Sequence, residues 1–395
     1  MSRRGDLDRA LNIADLRRLA RQRLPKPIFE FLDGGADDEE TLGRNTAGFA
    51  DFALVPDVLT NDVSSIDLST SFLGQRIEWP IILSPAGAAR LFHCDGELAI
   101  ARAAARSGTM FALSTMSNTS LEDVAHATDG PKMFQLYVFR DRGVTSELVT
   151  RCKSAGYHAL CLTVDAPLGG NRERDRANGL SMPPRMTLRG CLSFASRPAW
   201  SLSAWRHLDF AIANFEGPAR KPPPGLSAVQ YVNTLFDRTV TWKDVEWLKG
   251  VWGGPLVIKG ILSVSNALRA ADIGANAVMI SNHGGRQLDA VAAPFDQIAR
   301  IRDAVGDRVA IILDGGVRRG THVLKAIARG ADACSIGRPY LFGLAAAGEA
   351  GVDHALKILR SELERDMALL GCSHLGQIGS KHIARLGAEL GRTHP

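Results

Sequence analysis

The sequence lacks several features that would mark an exported, membrane-spanning or dinucleotide-binding protein. No run of about 18 apolar residues occurs, which excludes a spanning helix. Residues 1–24 carry charges throughout and lack the apolar centre of a signal peptide. The six cysteines form no C-x-x-C motif and show no metal-ligand spacing to nearby histidines, so we expect a reducing compartment and no metal site. No G-x-G occurs either, although a dinucleotide-binding sheet needs one.

A large excess of charge of one sign is also missing. The 47 lysines and arginines exceed the 42 aspartates and glutamates by a net +5 over 395 residues, which argues against nucleic acid and suits small anionic ligands. The 45% apolar and 23% charged residues are typical of a globular protein. The length accommodates one barrel of roughly 250 residues with additions.

Eight short apolar runs recur along the chain, and in most cases an amphipathic helical stretch follows before the next run. The runs do not alternate polar with apolar residues, as expected of parallel strands buried on both faces. They occupy residues 80–84, 110–113, 133–138, 159–164, 256–259, 277–281, 309–313 and 333–336. Eight such units predict an α/β fold, a (β/α)8 TIM barrel, with an open doubly wound sheet as the alternative.

Several segments fall outside this repeat. We expect an N-terminal helical cap at 1–75, the barrel at 76–370 and a C-terminal tail at 371–395. An insertion at 178–238 follows the fourth run. It holds six lysines or arginines between 185 and 221, together with Trp200 and Trp205. This composition suits a membrane surface, and a mobile lid over the site is the alternative.

One histidine stands where such a barrel places its chemistry, just after a strand. His283 follows the sixth run and is trailed by two glycines, while Asp165 follows the fourth run. A carboxylate on one ring nitrogen leaves the other free to take a proton, which is the arrangement of a general base. A satisfied core or surface histidine and a helix-capping Asp165 are the alternatives.

Cationic side chains also follow the strands. Glycines and arginines after the last two runs predict a phosphate site, with tight turns as the alternative, at Gly315, Gly316, Arg318, Gly337 and Arg338. Arg286 and Arg172 are suited to binding a planar carboxylate through bidentate hydrogen bonds. Lys259 ends the fifth run, and its ammonium needs an anionic partner such as an electron-rich flavin ring. A Schiff-base lysine is the alternative.

Seven segments, spread almost from end to end, resemble one family. They are LPKPIFEFLDGGADDE, LSTMSNTSLEDVA, FQLYV, LTVDAP, SNHGGRQLD, LDGGVRRGT and IGRP, in that order. The chain resembles the FMN-dependent L-2-hydroxy-acid dehydrogenases and oxidases, which include L-lactate dehydrogenase, glycolate oxidase and (S)-mandelate dehydrogenase.

The resemblance implies a role for each matching residue. His283 is expected to be the base that acts on the substrate, with Asp165 holding its ring. Arg286, Arg172 and Tyr137 are expected to bind the substrate. Asp314 is expected on the ribityl hydroxyls, and the phosphate residues stay as assigned above. The expected flavin-ring contacts are Pro85, Ala86, Gly87, Ser114, Gln135, Thr163, Lys259 and Ser281.

Three residues depart from the family's pattern. Phe31 replaces a tyrosine that touches the substrate, so one hydrogen bond to the carboxylate is expected to be missing. Met116 stands where glycolate oxidases have tryptophan, which indicates a differently shaped side-chain pocket. Gly87 stands where the oxidases usually have alanine, and this favours a dehydrogenase.

The implied reaction is oxidation of an L-2-hydroxy acid, L-lactate or a related acid, to the 2-oxo acid. Electrons would pass to a quinone or a cytochrome. The resemblance also implies a homotetramer, and we expect a cytoplasmic protein, peripheral on the inner face of the cytoplasmic membrane. The alternatives are an oxidase that forms hydrogen peroxide, a non-redox FMN barrel isomerase and a Schiff-base aldolase.

Overall fold

The computed structural model describes residues 3–387 except 180–187, 208–211, 216–230 and 232–233. Its centre is a closed barrel of eight parallel strands, which confirms the predicted (β/α)8 TIM barrel. We number these strands β1 (Ile81–Leu83), β2 (Met110–Ser114), β3 (Lys132–Leu136), β4 (Ala159–Thr163), β5 (Leu256–Ile261), β6 (Ala277–Ser281), β7 (Ala310–Asp314) and β8 (Ala333–Ile336). Because β8 pairs with β1, the sheet has no open edge, and the doubly wound alternative is wrong.

The interior of the barrel explains why the strands are continuous apolar runs. Helices cover the outer face, and side chains from every strand fill the inside, so nearly every strand residue is buried. A hairpin that the sequence analysis did not predict, Thr70–Phe72 paired with Gln75–Ile77, adds Phe72 and Ile77 to this interior. The strands supply the rest of the interior: Ile82, Met110, Ala112, Met133, Ala159, Cys161, Val257, Ala277, Met279, Ile312 and Ala333.

Helices alternate with the strands on the outside of the barrel. Their starts are marked in the sequence, since Ser120, Asp141 and Ser263 each accept a hydrogen bond from a backbone N–H of the first turn. The outer helices are Gly96–Arg106, Leu121–Ala127, Arg142–Ser154, Trp242–Trp252, Val264–Asp272, Pro294–Val305, Gly320–Ala328, Arg338–Ala347 and Glu349–Leu370. Short 3-10 turns occupy Ala89–Leu91, Gly306–Arg308, Leu375–Gln377 and Ser380–His382.

The two ends of the chain are joined. The N-terminal segment forms the helices Arg3–Asp8, Ile13–Arg23, Lys26–Asp33 and Glu40–Ala47 and the 3-10 turn Gly48–Asp51. It continues into a short strand, Phe52–Leu54, which pairs antiparallel with Ile383–Arg385. The described part of the segment expected to be a C-terminal tail therefore contributes a strand beside the cap.

Hydrogen bonds hold the insertion after β4 against the barrel. A short helix, Glu173–Ala177, precedes it; its described part contains the helices Leu188–Ala195 and Pro198–His207 and the turn Ala213–Phe215, whereas Arg185, Arg220 and Lys221 lie outside the described residues. The indole N–H of Trp200 donates to the Leu91 carbonyl (3.0 Å), and the buried Asn214 side chain donates to Ser117 Oγ (2.9 Å). Trp205 is 83% exposed. Among the described residues, no helix is both long and apolar enough to span a membrane.

Candidate active site

A cavity of about 520 Å³ opens where the carboxyl ends of the strands meet. Nineteen of the 21 predicted site residues line it, and Asp165 and Ser281 stand directly behind the lining. The nineteen are Phe31, Pro85, Ala86, Gly87, Ser114, Met116, Gln135, Tyr137, Thr163, Arg172, Lys259, His283, Arg286, Asp314, Gly315, Gly316, Arg318, Gly337 and Arg338. Residues from all eight strand ends therefore meet in one place, together with Phe31 from the cap.

His283 is held at this mouth by its backbone and by its ring. Its φ of +58° lies in the left-handed region, which is uncommon for a residue other than glycine and often marks a functional position. Its N–H donates to Ser281 Oγ (3.0 Å), and its Nδ1 lies 3.0 Å from Asp165 Oδ1. Asp165 fixes the ring, so that Nε2 is the nitrogen left for chemistry.

A bulge in β5 makes room for Asp165. The register shifts between Lys259 and Ile261, and Gly260 has a φ of +104°. A Cβ on Gly260 would lie 2.6 Å from Asp165 Cβ, so only glycine fits there. Burial alone would raise the pKa of Asp165, but His283 and Lys259 lower it below its usual value. Asp165 is therefore a carboxylate at neutral pH.

Arg286 and Arg172 both lie over the ring of Phe31. The guanidinium carbons are 5.1 and 5.4 Å from the ring centroid, which is the geometry of a cation–π contact. Arg286 also donates to the carbonyls of Phe31 (2.7 Å) and Gly34 (2.9 Å). Burial, with Arg172 nearby, lowers the pKa of Arg286 to about 9, and the group stays charged at neutral pH. Phe31 thus positions both cations without a hydroxyl group.

The ammonium of Lys259 is paired inside the protein. Its Nζ donates to Asp314 Oδ2 (2.7 Å) and Ser281 Oγ (2.6 Å), and Ser84 Oγ donates to Asp314 Oδ1 (2.9 Å). Burial alone would lower the pKa of Lys259, but the charges of Asp314 and Asp165 raise it. A Schiff-base lysine needs a neutral amine, so this protonated group argues against the aldolase alternative. The sequence analysis missed Ser84, although it ends the first apolar run.

Gly87 and Met116 form a single packing arrangement. A Cβ on Gly87 would lie 2.8 Å from Met116 Cβ and 2.9 Å from its carbonyl oxygen. The N–H of Ala88 donates to that same carbonyl (3.0 Å). The two departures from the family's pattern are therefore linked, because the Met116 loop fills the space that an alanine side chain at position 87 would need. Packing alone is sufficient reason for glycine here.

Aromatic residues that sequence reasoning did not find complete the wall. Phe236 lies 4.6 Å from Tyr137 between ring centroids, and Phe92 lies 6.3 Å from Phe31. Burial raises the pKa of Tyr137, so its hydroxyl remains a hydrogen-bond donor at neutral pH. Phe236 follows the insertion and Phe92 lies in a loop, and neither has a motif in the sequence that places it at the site.

Comparisons with known proteins agree on one family. The FMN-dependent dehydrogenase family matches residues 20–385. L-lactate oxidase from Nostoc sp. is 42% identical over 94% of this chain and 98% of its own length. Glycolate oxidase 1 from Oryza sativa subsp. indica is 40% identical over 97% and 98%. The crystal structure of the monotopic membrane protein (S)-mandelate dehydrogenase is 36% identical, with a TM-score of 0.91 over 95% of this chain and all of that chain.

The chain belongs to the FMN-dependent dehydrogenase family. It is an FMN-dependent oxidoreductase that acts on small 2-hydroxy acids. The isomerase and aldolase alternatives are therefore wrong.

The buried polar atoms of this FMN-dependent oxidoreductase fit the cofactor. Gln135 Nε2, Thr163 Oγ1 and Ser335 Oγ are buried without a hydrogen-bond partner, and all three residues line the cavity. Such atoms need a polar partner, and a flavin with its ribityl chain has hydrogen-bonding groups to offer them. Ser335 was not predicted, although it is a polar residue within an apolar strand.

The phosphate end of FMN fits the predicted glycines and arginines. Arg318 donates to the carbonyl of Val317, and Arg338 donates to those of Leu32, Gly284 and Gly34. Burial lowers the pKa of Arg318 to about 9 and that of Arg338 to about 10, so a phosphate bound here would stabilise both charges. Gly337 is the N-cap of the helix Arg338–Ala347, and both Gly337 and Arg338 line the cavity, so the positive end of this helix begins there.

The N-terminal cap packs closely against the glycines that follow β7. Gly315 and Gly316 have φ values of +135° and +78°, and a Cβ on Gly316 would lie 1.8 Å from the Asn45 carbonyl oxygen. The cap therefore approaches this loop so closely that only glycine fits.

Proposed function

We propose that the protein oxidises an L-2-hydroxy acid, L-lactate or a related acid, to the 2-oxo acid and passes the electrons to a membrane quinone or a cytochrome. The oxidation of the hydroxy acid is supported above all by the convergence of His283, Arg172 and Arg286 on one cavity that also fits FMN. The transfer of electrons to a membrane acceptor is supported by the exposed surface of the insertion.

His283 acts as the base in this proposal. Its Nε2 takes a proton from the substrate, and the Asp165 carboxylate at Nδ1 stabilises the imidazolium that forms. The left-handed backbone and the Ser281 contact hold the ring in place, so little reorganisation is needed. Bound FMN supplies the two-electron acceptor for the substrate.

Arg172 and Arg286 bind the substrate carboxylate. Both guanidinium groups are fixed over the Phe31 ring, and the Tyr137 hydroxyl adds a donor at the same wall. Because Phe31 has no hydroxyl, orientation of the carboxylate depends on the two arginines more than it would beside a tyrosine.

Arg286→Lys should lower kcat/KM for L-lactate by roughly 10- to 150-fold, mainly through KM. Lysine keeps the charge but lacks the planar guanidinium group that binds a carboxylate with two hydrogen bonds, and it loses the two contacts to backbone carbonyls. A charge-assisted hydrogen bond contributes about 1.5–3 kcal/mol. Steady-state kinetics would measure this. Arg269→Lys, on an exposed face of the outer helix Val264–Asp272, is the matched control and should leave both constants unchanged.

The surface of the insertion supports a membrane acceptor. Trp205 is 83% exposed and Leu202 is 50% exposed on the helix Pro198–His207, which ends in Arg206 and His207. An exposed aromatic and aliphatic pair beside basic residues suits the interface of an anionic bilayer. The similarity to a monotopic membrane dehydrogenase favours the same interpretation.

An oxygen-using oxidase is the second candidate. L-lactate oxidase and glycolate oxidase are among the relatives at 40–42% identity. In the sequence Gly87 favoured a dehydrogenase, but its packing against Met116 already explains the glycine, so it does not distinguish a dehydrogenase from an oxidase. The proposal of a membrane acceptor therefore depends on the exposed surface of the insertion.

The FMN-loaded enzyme should sediment with anionic phospholipid vesicles and reduce a quinone analogue faster than it forms hydrogen peroxide. Trp205→Ser should weaken vesicle binding by about tenfold or more, because a large buried side chain contributes about 1.5–3 kcal/mol. Activity with a soluble quinone analogue should not change. Leu59→Ser, at a fully exposed leucine elsewhere, is the control. Rapid peroxide formation from L-lactate without quinone reduction would instead support the oxidase.

A further inference from the structure

Three consecutive residues with metal-binding side chains, His93, Cys94 and Asp95, stand directly before the helix Gly96–Arg106. Nδ1 of His93 lies 3.8 Å from Sγ of Cys94 and 3.2 Å from Oδ2 of Asp95, and Sγ lies 3.7 Å from Oδ1. We propose that these three side chains form a binding site for Zn²⁺ or a similar transition-metal ion. The sequence analysis expected no metal site.

The separations match the edges of a zinc coordination tetrahedron. Zinc binds histidine nitrogen at about 2.0–2.1 Å, cysteine sulfur at about 2.3 Å and carboxylate oxygen at about 2.0–2.2 Å. At tetrahedral angles these lengths put nitrogen and sulfur about 3.6 Å apart, nitrogen and oxygen about 3.4 Å, and sulfur and oxygen about 3.6 Å. The observed distances lie within about 0.2 Å of these values, the nitrogen–oxygen distance at Oδ2 and the sulfur–oxygen distance at Oδ1 of Asp95. The ligand atoms all lie within 4.8 Å of one another, and a rotation of the Asp95 carboxylate would be needed to present one oxygen to both neighbours.

The charges of the side chains also suit a cation. The backbone N–H of Asp95 donates to His93 Nδ1 (3.3 Å), which keeps the imidazole beside the other two side chains. Zinc binds cysteine as a thiolate, so Cys94 and Asp95 would bring two negative charges to a bound ion. The positive end of the helix Gly96–Arg106 opposes a cation, but it is equivalent to only about half a charge. The charge of the ligands would therefore outweigh that of the helix terminus.

The site is open to solvent and leaves one coordination position for water. The His93 and Asp95 side chains are 32% and 45% exposed, so an ion can reach them. A combination of imidazole, thiolate and carboxylate favours zinc over magnesium or calcium, which prefer oxygen ligands alone. Within the described residues this group supplies three ligands, and three protein ligands plus water is an open zinc site.

Equilibrium dialysis of the FMN-loaded, chelator-treated enzyme against Zn²⁺ tests the site. We expect about one zinc per chain. Cys94→Ser and His93→Gln should each weaken binding by at least about tenfold. His126→Gln removes an exposed histidine from the helix Leu121–Ala127 and is the matched control with unchanged binding.

Co²⁺ gives a second readout that does not depend on activity. Tetrahedral cobalt with a thiolate ligand absorbs at longer wavelengths than a flavin, and Cys94→Ser should abolish that absorption. Serine is nearly isosteric with cysteine, so this variant is expected to fold. No zinc binding by the wild type, or binding that is unchanged in both ligand variants, would overturn the proposal. Neither result bears on the oxidation of hydroxy acids.

Discussion

Replacement of His283 by alanine is expected to lower kcat with L-lactate by about 10²- to 10⁴-fold, the usual contribution of a positioned general base. FMN should remain bound, because the expected ring and phosphate contacts come from other strand ends. Rapid mixing without oxygen measures the effect directly, since the flavin absorbance should persist where the wild type loses it. The physical reason is that the histidine at this mouth is held by Asp165 and leaves Nε2 free.

Two further variants make this result specific. Asp165→Asn keeps the size of the side chain but removes the charge that stabilises the imidazolium, so we expect a substantial loss of kcat with FMN retained. His126→Ala changes an exposed histidine that does not line the cavity and should have no effect. If His283→Ala bleached the flavin at the wild-type rate, another group would have to be the base.

Replacement of Lys259 by methionine is expected to destabilise the fold by about 3–5 kcal/mol, the usual cost of removing one partner from a buried ion pair. Lys259 Nζ lies 2.7 Å from Asp314 Oδ2, and both groups are buried near the ends of β5 and β7, on either side of Ser281 on β6. Without the ammonium, the Asp314 carboxylate keeps only the two serine hydroxyls. Urea unfolding with and without excess FMN would measure the loss and separate stability from cofactor binding.

The pH dependence and a double variant identify the cause of that loss. Lys259 lowers the pKa of Asp314 against the effect of burial, so the wild-type pair contributes stability above the unfolded pKa of about 3.9. In Lys259→Met, burial would raise that pKa, and the deficit should shrink as falling pH protonates Asp314. Lys259→Met combined with Asp314→Leu should recover much of the stability. A single variant as stable as the wild type at pH 7 would contradict this interpretation.

The barrel and most of the site could be predicted because their signals are local in the sequence. Each strand is a short apolar run, and barrel chemistry follows strand ends, so His283, Arg286 and Lys259 were found from position alone. Their convergence follows from the closure of the sheet between β8 and β1. The family's motifs then assigned roles to the same residues.

Other features depend on contacts between distant segments and have no local signal. The hairpin that adds Phe72 and Ile77 to the barrel interior consists of two three-residue strands, which are too short to show a periodic pattern. Phe236 reaches the cavity only after the long insertion returns to the barrel. The dependence of Gly87 on Met116 appears only when the loops after β1 and β2 are placed side by side.

The most direct test of the account is anaerobic mixing of the purified FMN enzyme with matched L- and D-2-hydroxy acids while the flavin absorbance is recorded. We expect L-lactate, or a related L-acid, to bleach the flavin and to yield one 2-oxo acid for each FMN, whereas the D-acids should leave the absorbance unchanged. An enzyme that binds FMN yet is bleached by no L-2-hydroxy acid, or is bleached equally by the D-acids, would contradict it.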